Sequence, residues 1–161
     1  MTVVERPPAA DAAALAMIRP QVAGKFLRAG AEKLWLRGVT YGTFQPQPDG
    51  SAFVPSAVSR DFASMRAAGI NAVRVYEAPP RWLLDLAEQA QLRVLVGLAW
   101  EQHVAFLEDR AVARAIEQRV RAAARALAGH PALLGFAVGN EIPAPIVRWH
   151  GRRPVERFLA R

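Results

Sequence analysis

The 161-residue sequence contains no cysteine, which excludes disulfides, thiolate metal ligands and cysteine nucleophiles. It has only two lysines, Lys25 and Lys33, so arginine supplies nearly all of its formal net charge of +7. The arginines are scattered along predicted helices and are not interleaved with aromatic residues on one face, so we expect no nucleic-acid partner. A glycine-rich phosphate loop is also missing, which argues against nucleotide binding.

Long apolar runs are absent from the sequence as well. No segment is long enough to span a bilayer, and residues 1–8 lack the basic and apolar regions of a signal peptide. We therefore expect a soluble protein without membrane insertion; its compartment is unknown, with the cytoplasm as the default. His103 lies beside Glu101, but His130 and His150 lie elsewhere without metal-ligand spacing, so no metal and no other cofactor is expected.

The composition divides the chain into a tail and one domain. Residues 1–22 contain three prolines and an alanine run without sustained periodicity, which predicts a flexible N-terminal tail with a short helix at 12–18. Residues 23–161 are predicted to form a single domain. It begins with a β-hairpin, residues 25–28 and 32–37, with Gly30 in its turn.

Four apolar strands alternate with helices in the rest of the domain. The strands are predicted over residues 34–41, 70–76, 92–98 and 133–138. The helices are predicted over residues 55–68, 79–90 and 109–128. Strands that are apolar throughout indicate a parallel sheet with both faces covered. The order predicts an α/β fold, either an open doubly wound sheet or a (β/α)8 barrel.

Polar and aromatic residues follow the carboxyl end of each predicted strand. They are Thr40, Tyr41 and Gln45, then Arg74, Tyr76 and Glu77, then Trp100, Glu101 and His103, and finally Asn140 and Glu141. Ligand sites of β/α folds lie at this end of the strands, because the loops there converge. Four successive polar strand ends favour the mouth of a barrel over the single switch point of an open sheet.

The most specific motif is Gly139-Asn140-Glu141, which resembles the end of the fourth strand in the clan of retaining (β/α)8-barrel glycoside hydrolases. Residues 71–76 are similar to the second strand of that clan, residues 36–40 to its first strand, and residues 129–132 to the turn before its fourth strand. The resemblance covers residues 24–150 and is closest to the barrel domain of the family-two enzymes related to β-galactosidases and β-glucuronidases.

This resemblance implies a partial TIM barrel, namely the first four strands of a (β/α)8 barrel with their helices, preceded by the short hairpin. It also implies that Glu141 is the general acid/base, that Asn140 contacts the sugar 2-hydroxyl, and that Arg74 supports the active-site carboxylates. The chemistry agrees, because glycoside hydrolysis needs a protonated carboxyl group and a recessed position raises a carboxyl pKa.

The other candidate substrate-binding residues are chosen by residue type. Trp100, Tyr41 and Tyr76 offer flat faces to a sugar ring, and Glu101 and His103 complete the set. Structural roles compete with these assignments. The alternative role for Asn140-Glu141 is to cap the next helix, and the alternative for Arg74 is an ion pair with Glu77 or Glu101. Trp100 would serve as a packed rim aromatic.

One helix-terminal residue has only a structural interpretation. His130 follows the predicted helix of residues 109–128 and is expected to bond to backbone carbonyls at its end.

Retaining hydrolysis needs a second carboxyl group about 5–5.5 Å from the first, and in the clan that group comes from the seventh strand. A complete barrel takes about 250 residues, so this sequence holds four strands and lacks that partner. We expect a catalytic-domain fragment of a retaining O-glycosyl hydrolase that acts on a β-linked glycan and is inactive alone.

The alternatives are a non-catalytic carbohydrate-binding or interaction module, and a transglycosidase parent. An arginine cluster near the C-terminus is a separate candidate site for an acidic partner. It comprises Arg148, Arg152, Arg153 and Arg157. A half barrel also leaves its first and fourth strands as unpaired edges, so we expect self-association, or association with the remaining half of the barrel.

Overall fold

The computed structural model describes residues 18–161, which form a small antiparallel sheet followed by a parallel sheet with five helices. The antiparallel sheet consists of β1 (Gln21–Ala23), β2 (Phe26–Ala29) and β3 (Glu32–Lys33), in that order. β2 and β3 form the predicted hairpin, with Gly30 in its turn at φ +62°.

Strand β1 is an element that the sequence did not predict. It begins at Gln21, within the range assigned to the tail, and pairs antiparallel with β2. Residues 1–17 of the predicted tail lie outside the described residues, and so does the helix predicted at 12–18 apart from Ile18.

The parallel sheet contains four strands whose spatial order follows the chain. They are β4 (Gly38–Thr40), β5 (Ala72–Val75), β6 (Arg93–Leu98) and β7 (Leu133–Val138). The helices between them are α1 (Pro55–Ala67), α2 (Arg81–Gln89) and α3 (Arg110–Leu127). Two short helices, α4 (Ala144–His150) and α5 (Arg152–Leu159), follow β7. An open doubly wound sheet reverses its strand order at a switch point, and this sheet does not. The predicted α/β fold, a partial (β/α)8 barrel preceded by a hairpin, is therefore confirmed.

The main core lies between the parallel sheet and helices α1 and α2. Phe62 of α1 and Leu83 and Leu84 of α2 are fully buried against the valines of β5 and β6. Leu86 and Ala90 at the end of α2 are only partly buried and pack at the edge of this core. A second cluster, made of Trp100, Phe106, Ile116 and Val155, holds α3 and α5 against the loop after β6.

His130 connects α2 with the turn that leads into β7. Its Nδ1 accepts the Ala132 backbone N–H at 3.2 Å, so the ring proton is on Nε2, which donates to the Asp85 carboxylate at 2.9 Å. As expected, His130 bonds to a backbone carbonyl at the end of α3, that of Leu127, but it does so through its own backbone N–H at 3.3 Å and not through the ring. The buried ring serves one backbone N–H and one carboxylate instead.

Within the stretch where β6 and β7 pair, β7 contains one residue more than β6. Val94 pairs with Leu133 and Leu95 with Gly135, so Leu134 is left between the two pairs as an irregularity in the ladder. From Leu95 onward the pairing is regular to the end of both strands. Throughout residues 18–161, no helix has both the length and the apolar character needed to cross a bilayer.

Candidate functional site

A cavity of about 200 Å³ opens where β5, β6 and β7 end. Its floor is formed by backbone and small residues of β6 and β7, including Gly97 and Ala137. Its polar and aromatic walls come from one residue of β5 and from the segments that follow the three strands. These residues are Arg74, Tyr76, Glu77, Trp100, Gln102, His103 and Asn140. The structure therefore brings together five of the eight residues that the sequence proposed for the site, namely Arg74, Tyr76, Trp100, His103 and Asn140.

Arg74 and Asn140 meet across the cavity from β5 and from the loop after β7. Arg74 Nη2 donates to Asn140 Oδ1 at 2.6 Å, and the guanidinium carbon lies 4.8 Å from the centre of the Tyr76 ring. Arg74 Nε is buried and has no hydrogen-bond partner among the described residues. The alternative in which Arg74 pairs with Glu77 or Glu101 is not what the structure shows, since its partner is the Asn140 amide.

The loop that carries Asn140 turns sharply on both sides of it. Gly139 has φ +82° and Glu141 has φ +52°, both in the left-handed region. The Asn140 backbone N–H donates to Gln102 Oε1 at 2.7 Å, which fixes the loop to the end of β6. Helix α4 starts three residues after Glu141, behind the N-cap Pro143 and without a side-chain cap bond. The interpretation of Asn140-Glu141 as a helix cap is therefore wrong.

Glu141 is exposed next to the cavity and is not among the residues that line it. Its left-handed backbone is unfavourable for a glutamate by about 1–2 kcal/mol. Its assignment as the general acid/base stays a prediction.

Trp100 is a packed aromatic residue, and its role as a sugar platform stays a prediction. Its side chain is 8% exposed, and the ring packs edge-on against Phe106 and Phe158 at centroid distances of 4.8 and 5.8 Å. The same residue lines the cavity. Packing from behind holds the indole in place, so it forms a rigid wall of the cavity.

Tyr41 lies on the opposite side of β4, away from the cavity. It is buried among Phe44, Phe53 and Phe62 between β4 and α1, and its hydroxyl donates to Asp61 at 2.9 Å. Burial raises the pKa of the Tyr41 hydroxyl above its ordinary value, and the hydrogen bond to the Asp61 carboxylate adds to this. The structure thus gives Tyr41 a core position, not a place beside a sugar.

Glu101 also points away from the cavity. It forms an ion pair with Arg119 of α3, and the hydrogen bond from this guanidinium lowers the pKa of the Glu101 carboxyl. A carboxylate held ionised outside the cavity is unsuited to the role of an acid there.

The sequence did not single out Gln102, although it is one of the few buried polar residues of the described chain. Its only sequence signal was its position between two candidate residues at the end of a strand. Within residues 18–161 no group of three His, Asp or Glu side chains is arranged to hold a metal ion.

No protein-family model and no curated protein matches this chain, but solved structures do. Saccharomyces cerevisiae Gas2p in complex with laminaripentaose is 19% identical, with a TM-score of 0.56 over 75% of this chain and 30% of that one. Bifidobacterium dentium beta-glucuronidase complexed with coumarin-3-O-glucuronide is 14% identical, with a TM-score of 0.62 over 88% and 24%.

Bacteroides uniformis beta-glucuronidase 2, covalently bound to cyclophellitol-6-carboxylate aziridine, is 22% identical, with a TM-score of 0.58 over 84% of this chain and 16% of that one. At these identities the similarity establishes the fold, a part of the (β/α)8 barrel found in glycosidases. The chain spans less than a third of the length of each of these three chains.

Proposed function

We propose that this chain forms part of the catalytic barrel of a retaining glycoside hydrolase that acts on a β-linked glycan. The observation that carries the proposal is the hydrogen bond between Arg74 and Asn140 inside a cavity at the carboxyl ends of parallel strands. In this proposal Asn140 and Arg74 bind the sugar, Trp100 and Tyr76 form its apolar walls, and Glu141 is the general acid/base.

The composition of the cavity supports a sugar ligand. A sugar ring presents hydroxyl groups at its edge and C–H groups on its faces, and the cavity offers amide and guanidinium donors beside two aromatic rings. His103 adds a further polar group at the rim. The solved structures with this fold include complexes with laminaripentaose and with a coumarin glucuronide, so a β-linked glycan is the substrate class we propose.

Catalysis needs a second carboxyl group about 5–5.5 Å from Glu141 for the retaining mechanism. In the described residues Glu101 is engaged by Arg119 outside the cavity. Glu77 lines the cavity but follows β5, the strand next to the edge of the sheet. We propose that neither supplies the nucleophile and that it comes from a part of the barrel beyond these four strands.

A non-catalytic carbohydrate-binding module is the second candidate. It is favoured by one observation, that Glu141 does not line the cavity whereas Asn140 does. The two functions predict the same ligand and differ only in turnover.

Ligand binding is tested first, on the chain as it stands. We expect laminaripentaose or p-nitrophenyl β-D-glucuronide to shift the NMR signals of the Trp100 indole and the Asn140 side-chain amide in a saturable titration. Arg74→Gln should weaken that binding, because it removes the charged donor and disturbs Asn140. Arg114→Gln, on the exposed face of α3, is the matched control. Saturable shifts confined to α4 and α5, or none, would contradict the proposal.

Turnover separates the two functions. In the enzyme with its complete barrel, Glu141→Gln should lower kcat for a p-nitrophenyl β-glycoside by at least about 100-fold, since it removes the proton donor. The isolated four-stranded chain should bind the same glycoside without releasing nitrophenol. Hydrolysis by the complete barrel that survives Glu141→Gln would exclude the catalytic role, and glycan binding without any hydrolysis would favour the binding module.

A further inference from the structure

The orientation of the Gln102 side-chain amide is fixed by its partner. The Asn140 backbone N–H is a donor, so the Gln102 atom 2.7 Å from it has to be the oxygen, Oε1. The amide nitrogen Nε2 is therefore turned away from that loop. Gln102 is only 7% exposed, yet it lines the cavity, so the accessible part of this side chain faces the site.

The hydrogen bonds already formed leave mainly donors for a ligand. Asn140 Oδ1 is occupied by Arg74 and Gln102 Oε1 by the Asn140 backbone. The amide nitrogens of both residues keep their hydrogens, and Arg74 Nε is buried without a partner among the described residues. The two amide donors, which come from the segments after β6 and β7, therefore point to a ligand that presents oxygen acceptors.

Arg74 holds the side chain of Asn140, but the backbone of the loop depends on Gln102. The β7 ladder ends at the Leu98–Val138 pair, and no cap bond of α4 reaches back to residues 139–141. A Cβ at Gly139 would make an ordinary contact of 3.4 Å with Gln102 Oε1, so it is the backbone φ of +82°, and not the space, that favours glycine there. The Gln102 bond is the contact that ties the Asn140 backbone to the end of β6.

We propose that Gln102 is a positioning residue that holds Asn140 in the cavity, and that its Nε2 donates a hydrogen bond to a glycan hydroxyl oxygen. The donor part of this proposal rests on the function proposed above. The positioning part does not, since it concerns the chain without ligand.

Two substitutions separate the two parts. Gln102→Glu keeps the shape and an oxygen acceptor for the Asn140 N–H but removes the amide donor, whereas Gln102→Ala removes both. Gln118→Ala, on the exposed face of α3, is the control. We would measure hydrogen exchange of the Asn140 backbone amide by NMR, and the Kd of laminaripentaose and of p-nitrophenyl β-D-glucuronide.

We expect Gln102→Ala to speed exchange of the Asn140 amide by about tenfold, the effect of losing one hydrogen bond, and Gln102→Glu to restore protection. Both variants should weaken glycan binding by about tenfold. If the Asn140 amide of Gln102→Ala exchanges within twofold of the wild-type rate, the positioning role is overturned. If Gln102→Ala does not fold, the positioning role is overturned when the Asn140 amide loses its protection in Gln102→Glu, which keeps the oxygen acceptor. Wild-type glycan affinity in Gln102→Glu would overturn the donor role.

The two proposals fail in different ways. If the wild-type chain binds neither glycan, the proposed function and the donor role fall together, while the exchange rates still decide the positioning role. If the wild type binds glycan and Gln102→Glu binds it equally well, the donor role alone fails.

Discussion

Gly97 sets how closely β5 and β6 approach beneath the cavity. A Cβ built on this residue would lie 2.7 Å from the carbonyl carbon of Tyr76, well inside normal contact, and that neighbour is backbone that cannot rotate away. Gly135, on the next strand, has no atom within 4 Å of the same position. The sheet therefore has room for a Cβ atom at Gly135 but not at Gly97.

Gly97→Ala should therefore destabilise the fold by about 1–3 kcal/mol, the usual cost of forcing an extra methyl group into a packed region. It should also weaken the glycan binding proposed above, because the cavity floor has to move. Gly135→Ala is the matched control and should change the free energy of unfolding by less than about 1 kcal/mol. Urea denaturation of both variants checks this, and equal losses would show that the strand spacing does not depend on Gly97.

Tyr41 gives the chain a pH-dependent contribution to stability. Its folded-state pKa is raised above the ordinary value, chiefly by burial and then by the bond to Asp61, so the folded state holds the neutral phenol. That contribution is complete below about pH 10, the unfolded pKa. It is lost as the pH rises further, because the unfolded chain then releases a proton that the folded chain keeps.

Tyr41→Phe should cost about 1 kcal/mol at neutral pH through the lost hydrogen bond to Asp61. Between about pH 9 and about pH 11 the free energy of unfolding should fall less steeply in this variant than in the wild type. Urea midpoints measured across that range provide the test, with Tyr76→Phe at the cavity rim as the control. Parallel pH profiles for wild type and Tyr41→Phe would refute it.

At the scale of elements, α3 begins at a defined capping residue. Asp109 has an extended backbone, and its carboxylate accepts the Ala111 backbone N–H at 2.7 Å. The free N–H groups of the first turn favour this residue type. The i,i+4 ion pair Glu117–Arg121 forms further along the helix at 3.0 Å.

Asp109→Ala should lower the free energy of unfolding by about 1 kcal/mol, whereas Asp109→Asn should keep most of it, because the amide oxygen still accepts the bond. Thermal unfolding followed by circular dichroism would measure both. A loss in Asp109→Asn as large as that in Asp109→Ala would mean that charge, and not capping, is what matters at this position.

The elements with strong periodicity were predictable from the sequence, and the predicted fourth strand matches β7 residue for residue. Strand β1 was not, because three exposed residues carry no pattern and pair only through the neighbouring hairpin. The division of the last helical segment at Gly151, which has φ +80°, was also missed.

For the site, the topology predicted from the sequence indicated which strand ends lie together, but not the direction in which each side chain points. Tyr41 turns to Asp61, 20 residues away, and Glu101 to Arg119, 18 residues away. Periodicity does not encode contacts of this kind.

At the scale of the whole molecule, the parallel sheet is open at both edges within the described chain. β4 is exposed at all three of its residues, and β7 ends in Val138, which is 42% exposed. The inner face of the sheet contains a shallow apolar hollow of about 260 Å³, whose lining includes Leu36, Val39 and Leu134. Parallel sheets normally have both faces covered, and open edges offer free N–H and C=O groups to another strand.

We predict that the chain as it stands self-associates through these edges and this inner face. Sedimentation velocity should show species larger than a monomer at micromolar concentration. Val39→Lys places a charge in the exposed edge strand and should reduce the larger species. Val112→Lys, on the exposed side of α3, is the control. A compact monomer for the wild type would show that the sheet tolerates its open edges.

The extra residue in β7 also affects the candidate site at the other end of the strand. Side chains alternate between the two faces of a sheet, so an advance of one residue exchanges inside and outside for everything that follows. If Leu95 faced Leu134 directly, Val138 would move up by one step, and Gly139 would stand at the height where Asn140 now meets Arg74. The extra residue at Leu134 thus determines which residue of the following loop lies opposite Arg74. A one-residue deletion near the start of β7 would therefore place Gly139, which has only a hydrogen atom as its side chain, opposite Arg74 in place of the Asn140 amide.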